Sequence, residues 1–353
     1  MAATLALALA AGLVGAVDYP PVTPTYRIEL PRDEGSHPGF RTEWWYITGW
    51  LEDENDVPRG FQITFFRTRP GIHEQNPSRF APRQLLFAHA AVSDVERGRL
   101  AKAQRSARAG FGLAYAAEGS LEVAIDDWHL RRRADGRMVA RVAGEDFSLA
   151  LEFEESQPLL LHGQQGFSRK GPLPHLASHY YSLPQLRAAG RLVLGERAYR
   201  VRGRAWMDHE WASEILHEKA VGWDWVGLNL HDGGALMALQ VRDAQGAALW
   251  AGGTLRPGPH AAVRVYEPRE VQWTALRRWR SPRTGVEFAV EWRVRVGDHT
   301  LTLRPMMDDQ ENDARDSTGT LYWEGAVRAF DEAGREVGRG YLELTGYAGR
   351  ILL

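Results

Sequence analysis

Short runs of alternating apolar and polar residues constrain the fold of this 353-residue chain more than any other feature of its sequence. Such runs occur at residues 61–65, 121–125, 149–153, 292–296 and 301–304. A period of two places the apolar side chains on one face of a strand, as in a half-buried antiparallel sheet. Turn-forming Asp-Gly and Gly-Asp pairs lie between runs. The sequence therefore predicts an all-β sandwich or barrel.

The centre of the chain interrupts this pattern. Residues 157–187 contain four prolines and three glycines, and the strand pattern resumes at 191–194. We interpret the interruption as an irregular segment that leads to a second domain, with the domains at 24–187 and 188–353. Each is long enough for a barrel of roughly eight to ten strands, whose interior can hold a small apolar ligand.

The first 17 residues are uncharged and mostly apolar, and small residues occupy positions 14–16. This composition predicts a secretory signal peptide at 1–17, although no basic residue precedes the run. A membrane anchor or a buried helix are the alternatives, but the run is short of the roughly 20 residues that a membrane span needs. We expect an exported protein, periplasmic or secreted.

Composition excludes several functional classes. The chain carries 43 Lys and Arg residues against 45 Asp and Glu residues, a net charge of −2, which argues against nucleic acid as a partner. It has no cysteine, which excludes disulfides, thiol nucleophiles and thiolate metal sites. Motifs of serine hydrolases, nucleotide-binding loops and zinc peptidases are absent from the sequence.

The first cluster of polar residues among aromatic ones surrounds Glu43. On a strand, Glu43 shares a face with Trp45, while Trp44 and Tyr46 lie on the other. A carboxyl group among indole rings is a candidate general acid with a raised pKa. The alternative is a structural ion pair with an arginine, Arg41 or Arg67.

The second cluster is Trp206-Met207-Asp208-His209-Glu210-Trp211. On a strand, His209 and Trp211 share one face, and Trp206, Asp208 and Glu210 share the other. His209 could relay protons near neutral pH, and the two carboxylates alone are weak evidence for a metal site. The alternative is a structural polar network where two domains meet.

The third cluster places Asp224 opposite its neighbours Trp223 and Trp225 on a strand. Its distance along the chain from His209 allows the two residues to be cross-strand partners. The alternative is a capped turn or a structural hydrogen bond to a tryptophan N–H. Glu324, between Trp323 and Gly325, is a minor further candidate.

Five longer motifs resemble the AttH/CrtC family: HPGFRTEWWYITGWL (37–51), AWMDHEWAS (205–213), GWDW (222–225), YWEGAV (322–327) and GRGYLELTGY (338–347). The family includes carotenoid 1,2-hydratase, also called hydroxyneurosporene synthase, and many secreted relatives labelled predicted hydrolases. The resemblance extends from about residue 24 to the C-terminus. It implies two lipocalin-like β-barrel domains in tandem.

The resemblance also implies a type of chemistry. In the hydratase, an acid protonates a terminal alkene without a cofactor, and water adds to the resulting tertiary carbocation. The hydratase's His-x-Trp motif is matched by His209 and Trp211, but its downstream Tyr-x-Asp motif aligns with Leu236-Met237-Ala238, where both polar residues are missing. This difference argues against hydration of a carotenoid itself.

Together, these observations predict a protein that binds an apolar, isoprenoid or lipid-like ligand and uses no cofactor or metal. As an enzyme it would be a hydratase or hydrolase, with His209 as the proton relay and Glu43 or Asp224 as the acid. The expected ligand-binding residues are Trp45, Tyr46, Trp211, Trp223 and Trp225. The alternatives are a carrier without catalytic activity and a partner of an envelope transport system; oligomeric state stays open.

Overall fold

The computed structural model describes residues 17–72, 74–214 and 216–351. The predicted signal peptide therefore lies outside the described residues, apart from Val17. The regular structure in these ranges consists of β-strands and two short 3₁₀ helices, Arg32–Glu34 and Pro268–Glu270, without an α-helix. None of the helices described is long and apolar enough to cross a membrane. The predicted all-β fold is confirmed.

The N-terminal part of the chain forms a 13-stranded antiparallel sheet. Its strands are β1 Thr42–Glu52, β2 Pro58–Thr68, β3 Leu85–Asp94, β4 Arg99–Arg108, β5 Ala114–Ala116, β6 Glu122–Ile125, β7 Trp128–Arg132, β8 Met138–Ala143, β9 Phe147–Glu154, β10 Leu160–Leu161, β11 Phe167–Arg169, β12 Ala177–Leu194 and β13 Arg197–Ala212. Their order is β4-β3-β2-β1-β13-β12-β9-β8-β7-β6-β5, and β10 and β11 pair with β12. Because β3 and β4 also contact β6, the sheet nearly closes into a barrel.

The C-terminal part forms a 10-stranded antiparallel sheet. Its strands are β14 Ala220–Leu230, β15 Ala235–Asp243, β16 Ala248–Arg256, β17 Arg264–Tyr266, β18 Val271–Arg280, β19 Glu287–Val296, β20 His299–Pro305, β21 Glu311–Ala314, β22 Thr320–Phe330 and β23 Glu336–Leu344. Their order is β17-β16-β15-β14-β23-β22-β20-β19-β18, and β21 pairs with β22.

The chain changes from one sheet to the other between Ala212 and Ala220. The expected division at residues 187 and 188 falls inside β12, which pairs with both β9 and β13. Pro184, one of the prolines that suggested a linker, sits at an irregularity in β12 between Leu183 and Leu186. A bulge accommodates proline inside a strand because the ladder hydrogen bonds are already interrupted there.

Alternating burial explains why these segments form strands. In β9, Phe147, Leu149, Leu151 and Phe153 are buried in the core of the first sheet, and the residues between them are partly or fully exposed. Burying a large apolar side chain contributes roughly 1.5–3 kcal/mol, so this pattern sets which face is turned inward. The second sheet has a core of its own around Phe288, Trp323 and Leu342.

The outer faces of the two sheets pack against each other. For this reason β1 and β14 are largely buried on both faces and lack the alternation of β9. The indole Nε1 of Trp50 donates a 2.9 Å hydrogen bond to the backbone carbonyl of Gly340 across this interface. An apolar cluster contributed by both sheets includes Tyr46, Trp50, Tyr180, Trp206, Trp225 and Tyr341.

Candidate active site

The register of β1 and β13 separates two groups of polar residues onto opposite faces of the first sheet. Tyr46 pairs with Asp208, and Trp45 pairs with His209. Tyr46 and Asp208 line a cavity between the two sheets, whereas Trp45 and His209 stack with ring centroids 4.9 Å apart on the inner face. The second polar cluster of the sequence therefore contributes to two different sites.

The cavity between the sheets has a volume of about 270 Å³ and is lined by residues of both sheets. Most of its surface is apolar. The aromatic residues that line it include Trp44, Tyr46, Tyr180, Trp223, Trp225 and Tyr322. One aromatic contact crosses the interface directly, because the Trp225 Nε1 donates a 3.0 Å hydrogen bond to the Tyr180 hydroxyl. Such walls suit a flat or branched apolar ligand.

Two carboxyl groups of the second sheet meet in this cavity. Glu324 of β22 and Glu343 of β23 are direct cross-strand partners, and both line the cavity. Burial and the charge of Glu343 raise the pKa of Glu324 well above its ordinary value. Burial raises the pKa of Glu343 to about 7. Because like charges at facing positions repel each other, the pair holds at least one proton near neutral pH.

Asp208 adds a third carboxyl group from the first sheet. Its Oδ1 accepts hydrogen bonds from the Ser182 hydroxyl and, at 2.7 Å, from the Trp206 Nε1. The Ser182 hydroxyl in turn lies 2.6 Å from the Nε2 atom of His162. Burial raises the pKa of Asp208 to about 8, so this carboxyl group is also protonated at neutral pH.

Glu210 and Lys170 form an ion pair at the cavity, with 3.6 Å between the Lys170 Nζ and a Glu210 carboxylate oxygen. Burial lowers the pKa of Lys170 and raises that of Glu210, although each charge partly offsets the shift of the other. This pair supplies one positive charge against the acidic groups nearby. The cavity therefore has mostly apolar walls, with protonated Asp208 and at least one proton on the pair Glu324 and Glu343 near neutral pH.

Glu43 borders the cavity, but the hydrogen-bond partners of its carboxylate belong to the first sheet and to the loop before it. Its oxygens lie 2.7 Å from the His37 Nδ1, 3.0 Å from the His209 Nε2 and 2.9 Å from the Arg67 Nε. Burial alone would raise the pKa of Glu43, but the hydrogen bonds from His209 and His37 and the charge of Arg67 hold it well below its ordinary value. Glu43 is therefore ionised, and the ion pair with Arg67 that the sequence allowed is present.

His209 and Asp224 are not cross-strand partners. Asp224 pairs with Gln240 and Leu344 in the second sheet, and its carboxylate accepts hydrogen bonds of 2.7 Å from both Gln240 and Arg242. Burial raises the pKa of Asp224, and the charge of Arg242 opposes the rise. Burial lowers the pKa of His209, so its imidazole is neutral.

The aromatic residues predicted to bind a ligand divide between the two faces. Tyr46, Trp223 and Trp225 line the cavity. Trp45 and Trp211 belong to the core of the first sheet, where Trp211 stacks on His37 with ring centroids 3.9 Å apart. Their position inside the first sheet follows from strand alternation.

The sequence alone does not indicate a catalytic role for Asp208, Glu210 or Glu343. Strand alternation grouped Asp208 and Glu210 on one face, but the sequence does not say which face meets a cavity. Glu343 alternates with Leu342 and Leu344, a pattern typical of any half-buried strand. Glu324, a minor candidate in the sequence, lines the cavity and faces Glu343.

Comparisons with known proteins agree with this architecture. The family model described as AttH-like matches residues 21–347. The crystal structure of a protein from Nitrosomonas europaea that is assigned to AttH has 47% sequence identity and a TM-score of 0.87, and the match covers 93% of this chain and 99% of that one. Among curated proteins, no sequence match was found.

Two more distant structures share the fold. Kievitone hydratase from Nectria haematococca matches with a TM-score of 0.69 at 12% identity, over 95% of this chain and 97% of that one. CghA in complex with Sch210972 matches with a TM-score of 0.55 at 14% identity, over 88% and 89% of the two chains. The family model spans nearly the whole described fold, including both sheets and the cavity between them. This chain therefore belongs to the AttH-like family.

Proposed function

We propose that this chain binds an apolar, isoprenoid or lipid-like ligand in the cavity between its sheets and adds water to a carbon–carbon double bond there without a cofactor. The observation that carries the proposal is the facing pair Glu324 and Glu343 inside a cavity with aromatic walls. A protonated and an ionised carboxyl group held together can act as acid and base in one reaction.

The walls of the cavity support the choice of ligand. Indole and phenol rings from both domains offer apolar faces, and the volume of about 270 Å³ is near the lower end of ligand pockets, roughly 300 Å³. A cavity of this size holds one reacting group and part of a chain. The rest of a longer ligand would extend along the interface between the sheets.

The reaction follows from the protonation states. Glu324 donates its proton to one alkene carbon, and the other carbon becomes a tertiary carbocation. The electron-rich faces of Trp223 and Trp225 stabilise that charge. Water attacks the carbocation, and Glu343 accepts a proton from the attacking water. The alkene therefore gains one water molecule in total. Proton exchange between the two carboxyl groups then restores the starting state.

The shared fold is consistent with this chemistry. A protein named as a hydratase, kievitone hydratase, is built on the same arrangement of strands. At 12% identity this likeness supports only the statement that the fold can house such a reaction. The sequence resemblance to carotenoid 1,2-hydratase supports the same reaction type.

The test is incubation of the purified protein with a lipid and isoprenoid extract of its host, followed by mass spectrometry of the bound and released molecules. A product heavier than its precursor by one water, formed by the wild type and not by Glu324→Gln, supports the proposal. A ligand retained unchanged by both proteins contradicts catalysis and favours a carrier. The absence of any retained or altered molecule contradicts both functions.

A further inference from the structure

Three side chains with metal-ligating chemistry, those of His37, Glu43 and His209, meet in the first sheet, where Glu43 also borders the cavity. One ring nitrogen of each histidine and a carboxylate oxygen of Glu43 all lie within 4.8 Å of one another. Glu43 and His209 are fully buried, and the His37 side chain is 13% exposed. They come from the loop before β1, from β1 and from β13.

His209 has an acceptor facing each of its ring nitrogens. Its Nε2 lies 3.0 Å from the Glu43 Oε1, and its Nδ1 lies 3.0 Å from the backbone carbonyl oxygen of Asp33. The Tyr181 hydroxyl near Nδ1 donates to the same carbonyl. A neutral imidazole carries one N–H, so it can satisfy only one of these two oxygens and turns a lone pair toward the other.

His37 has the same arrangement. Its Nδ1 lies 2.7 Å from the Glu43 Oε1, and its Nε2 lies 3.3 Å from the Asp33 Oδ1. Two imidazoles therefore share one carboxylate oxygen. The ring centroids of His37 and His209 lie 5.8 Å apart.

We propose that the His37 Nδ1, the His209 Nε2 and the Glu43 Oε1 bind a divalent first-row transition metal ion of the Zn²⁺ type. With a metal ion between the Glu43 Oε1 and the two rings, each neutral imidazole directs its lone pair at the metal. Each ring's remaining N–H then donates to an oxygen of Asp33. Every acceptor contact described above is satisfied at once.

The three proposed ligands have the hydrogen-bond partners that metal ligands in proteins usually have. Ligating imidazoles commonly donate their second N–H to a carboxylate or a backbone carbonyl, and here Asp33 supplies both. The other oxygen of Glu43 accepts hydrogen bonds from the Arg67 Nε at 2.9 Å and the His37 backbone N–H at 2.8 Å. The Glu43 carboxylate is thus oriented while Oε1 faces the two rings.

The ligand set and the spacing suit zinc. Two histidines and one glutamate occur together in zinc sites that keep a fourth position for water. Ligand atoms around a tetrahedral zinc ion lie roughly 3.3 Å apart, so the contacts of 2.7 and 3.0 Å need to widen by about 0.6 and 0.3 Å. Such a site would tie the loop that carries His37 to β1 and β13.

The test uses the full chain without an affinity tag, stripped of metal with a chelator and titrated with Zn²⁺ in a calorimeter. We expect one Zn²⁺ per chain and a higher melting temperature with Zn²⁺, because a ligand that binds only the folded state stabilises it. His37→Gln should weaken binding by more than about 100-fold, since replacing even an outer partner of a ligand costs roughly 10–100-fold. His179→Gln is the matched control, because His179 lies beside Trp211 but outside the ligand set.

His37 is the first choice for substitution because it is partly exposed, whereas removing Glu43 would leave Arg67 buried without its ion-pair partner. Circular dichroism shows whether each variant is folded, and Co²⁺ absorption gives an independent report of imidazole ligation in the wild type. The proposal is overturned if the wild type binds no stoichiometric Zn²⁺. It is equally overturned if folded His37→Gln binds Zn²⁺ as tightly as His179→Gln does.

Discussion

Glu324 and Glu343 face each other on adjacent strands of the second sheet, with both side chains at a cavity that the first sheet closes. On an exposed sheet, water would screen two carboxylates at such positions. Here burial raises the pKa of each group, and the charge of Glu343 raises that of Glu324 further. The packing of the two sheets therefore leaves at least one proton on this pair near neutral pH.

Replacing Glu324 with Gln should abolish hydration while leaving ligand binding largely intact. Glutamine has nearly the same shape but cannot donate a carboxylic proton, and general acids typically contribute about 10²–10⁴-fold to a rate. Turnover of the ligand found in the extract, measured by mass spectrometry, gives the rate. Glu210→Gln is the control, because Glu210 lines the same cavity but pairs with Lys170. An equal loss in both variants would show that the cavity's shape or charge, and not one acid, limits the rate.

The rate should depend on pH in the form of a bell. Glu343 has to be ionised to accept a proton, and its pKa of about 7 sets the acidic limb. Glu324 has to be protonated, and loss of its proton, whose pKa is raised well above its ordinary value, sets the alkaline limb. The two limbs report apparent values of the pair, because the groups titrate together. Steady-state rates from pH 5 to 10 test this expectation. A profile that stays flat through pH 7 would exclude Glu343 as the base.

The fold could be predicted from sequence because its main signal is local. In β9, the large apolar residues are the buried ones, so their alternation alone identifies the strand and its inner face. The extent of β12 was harder to predict, because Pro184 lies within it and the irregularity that accommodates this proline depends on pairing with β13. Such pairings join residues far apart in the sequence.

The candidate site was harder to predict for the same reason. Alternation correctly separated Asp208 from His209, but nothing local says that the face with Asp208 meets a second sheet. Glu343 is also unremarkable until β22 places Glu324 opposite it. The raised pKa values arise from packing between domains, which a single sequence does not encode in any short pattern.

Stability should depend on pH through Glu324. Below its ordinary pKa of 4.5, Glu324 is protonated in both the folded and the unfolded chain. Above that pH the unfolded chain loses the proton while the folded chain keeps it, so this residue makes the folded state progressively less stable as pH rises. Gln at this position does not ionise. The free energy of unfolding of Glu324→Gln minus that of the wild type should therefore increase from pH 5 to pH 8.

Urea unfolding of both proteins at several pH values measures this difference, and the comparison cancels the shared groups other than Glu343, which titrates together with Glu324. The increase should amount to a few kcal/mol at most, since one pKa unit corresponds to about 1.4 kcal/mol. A difference that is constant over pH 5 to 8 would mean that Glu324 titrates normally in the folded protein.

The ion pair between Asp224 and Arg242 should matter for stability and not for ligand binding. Asp224 is fully buried in the second sheet, and the distance from its carboxylate to the Arg242 Nε is 2.7 Å. Asp224→Asn leaves the guanidinium without its partner charge, which typically costs about 3–5 kcal/mol. Adding Arg242→Met removes the unpaired charge, so the double variant should recover part of that loss. Urea unfolding of the two single variants and the double variant gives the coupling energy, and retention of the extracted ligand gives the effect on binding. A loss of ligand in folded Asp224→Asn would instead place Asp224 among the residues that act on the ligand.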